Sequence, residues 1–209
     1  MTSIYQRAMG GEFQNLHPEV RKRFGFSSAD GIASIGRGEM EEIWRRIMFP
    51  ERGAKVPFTI ENYAYRDGFG RETVTWVRKF RGARPRRFDA YMVYSDSRRC
   101  VVDYLGTHQH LAVDLSISVG PDGGICIRSG EQRFYEGFLG FRFPLLFSGT
   151  AEVREWFDDD IGRFRISVTV TNRAWGRLFG YRGAFDAESV ETGGRIPDDL
   201  MPRREERRE

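Results

Sequence analysis

Apolar and polar residues alternate most regularly in the middle of the chain. From position 110 to 119 every second residue is apolar, which is the period of a β-strand with one packed face. The sequence PDGG follows at positions 121–124 and favours a tight turn. The alternation then resumes, so residues 110–119 and 125–134 are predicted to form a hairpin.

The same alternation predicts the secondary structure of most of the chain. It indicates three further hairpins and two single strands: residues 57–66 with 71–80, 88–94 with 100–105, 150–157 with 163–171, and the strands 31–43 and 179–190. Short turns join about ten strands, which is typical of an antiparallel meander. Closing such a sheet into a barrel leaves no edge strand with unpaired backbone groups. The predicted fold is therefore mainly β: an antiparallel β-barrel or strongly curved meander with an N-terminal helical segment.

Helical spacing is confined to the N-terminus. Ser3 or Thr2 can cap a first helix, and Pro18 favours a fresh helix start after His17. We expect residues 3–24 to form a helical lid on a single β domain that spans residues 1–190. Residues 191–209 are rich in Gly, Pro, Arg and Glu and are predicted to be a disordered charged tail.

Composition and charge narrow the functional classes. The chain has 209 residues, 40% hydrophobic content, 17 Phe, 8 Tyr and 4 Trp, which indicates a folded β protein. A net charge of +3 from 33 basic and 30 acidic residues does not favour nucleic-acid binding. Two cysteines and the absence of an apolar leader or long apolar stretch predict a reduced cytoplasmic protein without stable membrane insertion. The oligomeric state stays open.

The first chemical hypothesis is a metal site built around two histidines. His108 and His110 are two apart and could bind a metal on a β scaffold, with Glu131 or Glu136 as the carboxylate ligand. His17, in the lid, has no sequence context that marks it as a third ligand. We therefore assign no metal and no cofactor.

Acid–base chemistry is the second hypothesis. A histidine beside a carboxylate can move a proton near neutral pH. The candidate catalytic residues are His108, His110, Glu131, Glu136, Tyr104 and Asp103. The alternative is a buried hydrogen-bond network that fixes strand register.

Strand parity makes this hypothesis testable. The two histidines are expected on the face opposite Leu111, Val113 and Leu115. If that face is a polar lumen, the acid–base site is inside. If the apolar residues fill the lumen instead, both histidines point outwards, and the catalytic and metal interpretations fail together.

Aromatic richness favours binding of a small hydrophobic molecule. The candidate ligand-binding residues are Tyr63, Tyr65, Trp76, Tyr91, Arg128, Phe134 and Phe141. The leading hypothesis is a hydrophobic-ligand-binding barrel. The alternatives are a small-molecule enzyme of isomerase or cyclase type and a structural module with a filled interior. The apolar sequence FLGFRFPLLF at positions 138–147 either plugs one end of the sheet or forms an apolar mouth.

Several stretches resemble the bacterial DUF4166 family. They are SIYQRAMG, LHPEVRKRFG, FPERGAKVPFTIENYAYRDGFGRETVTWVRKF, VDYLGTHQHLAVDL, IRSGEQRFYEG and FSGTAEVREWFDDDIGRFRI. The resemblance covers nearly all of residues 3–190, and this chain is shorter than the family between Trp44 and Phe49. It implies a module with varied partners, since members are fused to redox or membrane segments, and it assigns no function.

Overall fold

The computed structural model describes residues 2–45, 55–82, 85–142 and 149–209, without the side chains of residues 42–45 and 141–142. The N-terminal segment holds helices α1 (Ile4–Met9) and α2 (Pro18–Phe24), joined by a 3-10 turn over Gly10–Asn15. The Ser3 side chain caps α1 by accepting from the Gln6 backbone N–H, and His17 Nδ1 caps α2 by accepting from that of Glu19.

Eleven strands form one antiparallel sheet in the described part of the chain. They are β1 Ile32–Arg45, β2 Val56–Arg66, β3 Glu72–Phe80, β4 Arg86–Ser95, β5 Cys100–Leu105, β6 Leu111–Val119, β7 Ile125–Glu136, β8 Leu139–Arg142, β9 Thr150–Asp158, β10 Arg163–Asn172 and β11 Gly176–Glu191. All of them except β8 follow one another around a closed ten-stranded barrel, in which β1 pairs with β11 and β7 pairs with both β6 and β9. Strand β8 pairs with β7 alone. The predicted antiparallel barrel of about ten strands is confirmed.

The barrel interior takes the apolar residues of the alternation. Val113 and Leu115 of β6 belong to the main core cluster, whereas Ser116 on the same strand is exposed. Tyr5 and Phe24 of the helical segment belong to that same cluster, so the helices share the core of the barrel. Burying this shared apolar surface is the main force that holds helices and barrel together.

A close approach inside the barrel explains one glycine of β1. A Cβ atom at Gly36 would lie 2.6 Å from both Ile60 Cγ2 and Phe185 Cδ2. The missing side chain leaves room for the Phe185 ring, which stacks on Phe164 with ring centroids 5.4 Å apart. This side of the lumen is therefore filled by aromatic rings.

The charged tail differs from the expected disorder. Leu200 is 1% exposed, and its carbonyl accepts from the Tyr91 hydroxyl at 3.0 Å. The Tyr104 hydroxyl donates to the Arg208 carbonyl at 2.7 Å. The physical reason is an apolar aromatic area on the outer wall of the barrel, which the tail covers. The composition of the tail hid this, because the two apolar residues Ile196 and Leu200 are enough to anchor it.

Residues 138–147 were predicted either to plug one end of the sheet or to form an apolar mouth, and the structure tests only the first part of this stretch. Phe138, in the turn before β8, is 94% exposed, and Leu139, the first residue of β8, is also exposed, so this first part does not plug the barrel. Residues 143–148 lie outside the described part of the chain.

Among the helices that the structure describes, none is long and apolar enough to cross a bilayer.

Candidate ligand site in the barrel lumen

A cavity of about 310 Å³ lies inside the barrel. Strands β3 to β7, β9 and β10 contribute to its wall. The apolar part of the lining includes Leu105, Leu111, Val113, Leu115, Ile127 and Val170. Leu105 is 38% exposed, which places the mouth of the cavity beside the turn between β5 and β6.

Two polar residues of the cavity wall are satisfied by backbone groups. Gln132 Nε2 donates to the carbonyl of Gly149 at 2.9 Å. Ser129 Oγ accepts from the backbone N–H of Ala151 at 2.7 Å. These bonds join β7 to the start of β9, so both side chains have a structural role in the wall.

Three other polar side chains of the wall keep an unused hydrogen-bonding atom. Trp76 Nε1, Arg78 Nε and Asp103 Oδ1 are buried and have no partner among the described residues. The Arg78 guanidinium lies 5.4 Å from the centre of the Trp76 ring. Buried polar atoms without partners are uncommon in native structures, because each carries its full desolvation cost. Their convergence on one cavity therefore identifies it as the candidate site.

Burial sets the charge state of the acid in this group. It raises the pKa of Asp103 to about 7, and the nearby Arg78 charge offsets part of the rise. Asp103 therefore carries a proton in a substantial fraction of molecules near neutral pH. Burial also raises the pKa of Tyr181, whose hydroxyl lies near Arg78, so that this phenol stays neutral.

A second buried acid lies closer to the helical segment. Arg23 of α2 donates from Nε to Glu155 Oε1 at 2.5 Å and from an Nη atom to Ser34 Oγ at 2.5 Å. Its guanidinium also lies 5.0 Å from the centre of the Phe185 ring. Neither Arg23 nor Glu155 lines the cavity, and their ion pair fastens α2 to the barrel wall.

The histidines do not lie on a strand. Residues 106–110 form a turn in which Gly106 and Gln109 adopt positive φ, so strand parity does not apply and the parity argument was wrong here. The His108 and His110 rings stack with centroids 5.5 Å apart at the barrel rim. His110 Nδ1 lies 2.7 Å from Glu136 Oε2. Of the predicted acid–base partners, the structure brings this pair together.

The other predicted catalytic residues are dispersed. Glu131 pairs with Arg98 at 2.8 Å and with Arg133 at 3.1 Å on the outer wall. Tyr104 lies on the outer wall under the tail, whereas Asp103 faces the lumen. Asp103 is thus the one predicted catalytic residue that reaches the cavity among the described lining. No group of three or more potential metal ligands was found in the described ranges.

Of the predicted ligand-binding residues, Trp76 lines the cavity. Tyr63, Tyr65 and Tyr91 pack on the outer wall, in or beside the clusters that the tail covers. Arg128 is on the outer wall as well, 2.5 Å from Glu152.

The last two predicted ligand-binding residues lie at the rim. Phe134 is stacked beside His110 with ring centroids 6.1 Å apart. The backbone of Phe141 pairs with that of Phe134, and its side chain lies outside the described residues. Phe134 is not among the residues that line the cavity.

Sequence reasoning missed Arg78 and Gln132. Arg78 lies two residues after Trp76 and four after Val74, so the alternation put it on the apolar face of β3. An arginine at an inward position is the signal that could have identified it. Gln132 was harder to find, because the register of β6 and β7 shifts between Val113 and Leu115.

Fold and site together define a closed ten-stranded antiparallel barrel with a helical segment and an internal cavity. The chain belongs to the family described as "Domain of unknown function (DUF4166)", whose model matches residues 16–185. It is similar to the uncharacterized protein YndH of Bacillus subtilis (strain 168), with 32% identity over 211 residues, covering 92% of this chain and 100% of the relative. Neither comparison assigns a function.

Proposed function

We propose that this protein binds a small, mainly apolar molecule in the lumen of the barrel. The observation that carries the proposal is the cavity of about 310 Å³, whose apolar wall surrounds three polar side chains with unused atoms. Pockets for small molecules are mostly apolar and contain a few convergent polar groups that orient the ligand. The volume is at the lower end of the range for such pockets.

The contrast between the two sides of the lumen supports this function. Phe58, Phe164 and Phe185 fill one side, with ring centroids 5.4 Å apart for the closer pair and 5.8 Å for the other. A barrel that needed only a packed interior would fill the other side in the same way, since voids cost stability. The cavity is thus an argument against the hypothesis of a structural module with a filled interior.

No specific observation favours the enzyme alternative. An isomerase or cyclase of the predicted type needs its histidine, carboxylate and tyrosine around one bound substrate. His110 with Glu136 is at the rim, and Tyr104 is under the tail. We therefore propose binding without assigning a reaction.

A volume-filling substitution tests the proposal directly. Leu115 faces the lumen and lines the cavity, whereas Ser116 is the next residue and is exposed on the outer wall. We expect Leu115→Trp to abolish the fluorescence increase of the neutral probe 1-naphthylamine, a molecule small enough for the cavity, because the added indole occupies that space. The matched variant Ser116→Trp adds the same side chain outside and should bind the probe as the wild type does.

Two further measurements complete the test. Circular dichroism should show that both variants keep the β-sheet spectrum, so that a loss of binding reports the cavity itself. Native mass spectrometry of freshly purified protein should show a co-purifying small molecule. If the wild type binds no apolar probe and carries no small molecule, the proposed function is wrong.

A further inference from the structure

We propose that the ligand is a monocarboxylic acid with a short apolar tail, whose carboxylate binds Arg78. This inference rests on the proposed function and adds the chemical class of the ligand. It starts from the three side chains of the cavity wall that keep unused polar atoms: Trp76, Arg78 and Asp103.

The first step is the charge of Arg78. Arg78 is partly buried, and its Nε atom is shielded from solvent. An arginine keeps its charge in proteins, and a shielded donor atom normally has a hydrogen-bond partner. Arg78 forms no ion pair with any residue in the described ranges, and its Nε atom has no hydrogen-bond partner there. By contrast, Arg23 in the same barrel holds Glu155 at 2.5 Å. The cavity therefore presents a cation that a ligand anion can neutralise.

The second step is the kind of anion. The guanidinium fork matches a carboxylate, which can accept two parallel hydrogen bonds. Trp76 Nε1 is a further donor on the same wall, since an indole nitrogen can only donate. In its protonated form, Asp103 adds an O–H donor next to the same cation. Three donor groups thus converge, which suits the oxygen atoms of one carboxylate.

The third step excludes ligands of other charge. A dianionic phosphate would bring two negative charges to a cavity wall on which Arg78 is the one cation among the described lining residues. An amine would face the Arg78 charge directly and would leave Trp76 Nε1 unpaired. A single negative charge fits these side chains best.

The size of the cavity limits the tail. Its volume of about 310 Å³ corresponds to roughly ten water molecules at about 30 Å³ each, and therefore to roughly ten non-hydrogen atoms. Octanoate is a molecule of that size. Its chain would lie along the apolar wall formed by Leu111, Val113 and Leu115.

Calorimetric titration of the full chain with octanoate, 1-octanol, octylamine and octyl phosphate tests the inference. We expect the wild type to bind octanoate about tenfold to a hundredfold more tightly than octanol, as a charge-assisted hydrogen bond gives. Arg78→Met should remove the preference for octanoate over octanol, and Arg78→Lys should restore part of it. Lys79→Met is the matched control, because Lys79 lies on the outer wall 2.9 Å from Glu61, and it should change neither affinity.

The outcomes separate this inference from the proposed function. If octanol binds as tightly as octanoate to the wild type, or if octylamine or octyl phosphate binds most tightly, the carboxylate assignment is wrong and the binding function stands. If none of the four molecules binds, while the Leu115→Trp comparison also shows no apolar probe in the cavity, both are wrong. The wild-type comparison decides the matter even where Arg78→Met fails to fold.

Discussion

Two buried acids in the same barrel have different surroundings. Glu155 is fully buried near the helical segment, where Arg23 and its bond to Ser34 form a compact polar group. Asp103 is buried to a similar degree on the cavity wall, and no ion pair joins it to another described residue. Burial raises the pKa of both acids, and the neighbouring arginine offsets the rise in each case.

The difference separates a structural ion pair from a binding group. Removing one member of a buried ion pair leaves an uncompensated charge, so such pairs are sensitive to substitution. A buried polar atom without a partner lowers the stability of the unbound protein by its desolvation cost. A hydrogen bond to a ligand offsets that cost on binding. The Arg23–Glu155 ion pair holds the helices on the barrel. On the cavity wall, Arg78 and Asp103 keep polar atoms that can bind a ligand.

Breaking the Arg23 pair should have the largest effect on stability. We expect Arg23→Met to lower the free energy of unfolding by about 3 to 5 kcal/mol, because it leaves Glu155 buried without its partner. Urea denaturation followed by circular dichroism measures this. The double variant with Glu155→Gln should recover part of the loss, since it also removes the orphaned charge.

The same substitution in the cavity is the matched control. Arg78→Met removes a cation without an ion-pair partner in the described ranges, and Asp103 can take up a proton in response. We therefore expect a change smaller than about 1 kcal/mol or a gain in stability. Equal losses for Arg23→Met and Arg78→Met would show that the two groups are both structural and would remove the basis of the comparison.

The pH dependence of stability should show the next largest effect. The pKa of Asp103 rises from 3.8 to about 7 on folding, so between these values the native state keeps a proton that the unfolded chain has lost. The contribution of Asp103 to the free energy of unfolding is therefore largest at low pH and is lost as the pH rises through about 7. Linkage predicts that the free energy of unfolding falls by roughly 2 to 3 kcal/mol between pH 5 and pH 8.

Asp103→Asn isolates this contribution. Urea denaturation at several pH values should show that the variant loses roughly 2 to 3 kcal/mol less stability than the wild type over the same window. Asp103 interacts with Arg78 on β3 and with Tyr5 on α1, and these two in turn interact with Tyr181 on β11, Glu155 on β9 and Arg23 on α2. All of them are present in both proteins, so the Glu155 contribution cancels in the difference. Identical pH profiles would mean that Asp103 is not a buried acid in solution.

Much of the fold was predictable because one face of each strand is apolar. Turn sequences such as PDGG at positions 121–124 fixed where the hairpins reverse, and the structure has a β6–β7 turn there. The tail was not predictable from composition. Leu200 and Ile196 pack on the outer wall, and the aromatic residues that attract them are distant in sequence.

The site was predictable only in part. Trp76 and Asp103 were named as candidates, whereas Arg78 was not. The parity argument for the histidines was wrong for a local reason: Gly106 and Gln109 turn the chain between β5 and β6, so the strand ends at Leu105. The acid–base hypothesis itself stays a prediction. Alternation shows which residues face inwards, but it does not show where a packed lumen leaves space.

The smallest effect is expected at the rim, outside the comparison of the two acids. His110 lies 2.7 Å from Glu136, and both side chains are partly exposed, at 35% and 56%. Exposed ion pairs contribute about 0 to 1 kcal/mol, so His110→Ala should change the free energy of unfolding by less than about 1 kcal/mol. It should also leave octanoate binding unchanged, since His110 is not part of the cavity lining that contains Arg78. Calorimetric titration of His110→Ala beside Arg78→Met measures this directly. If His110→Ala loses as much octanoate affinity as Arg78→Met does, the carboxylate binds at the rim, and the unpaired atoms inside the lumen are not its site.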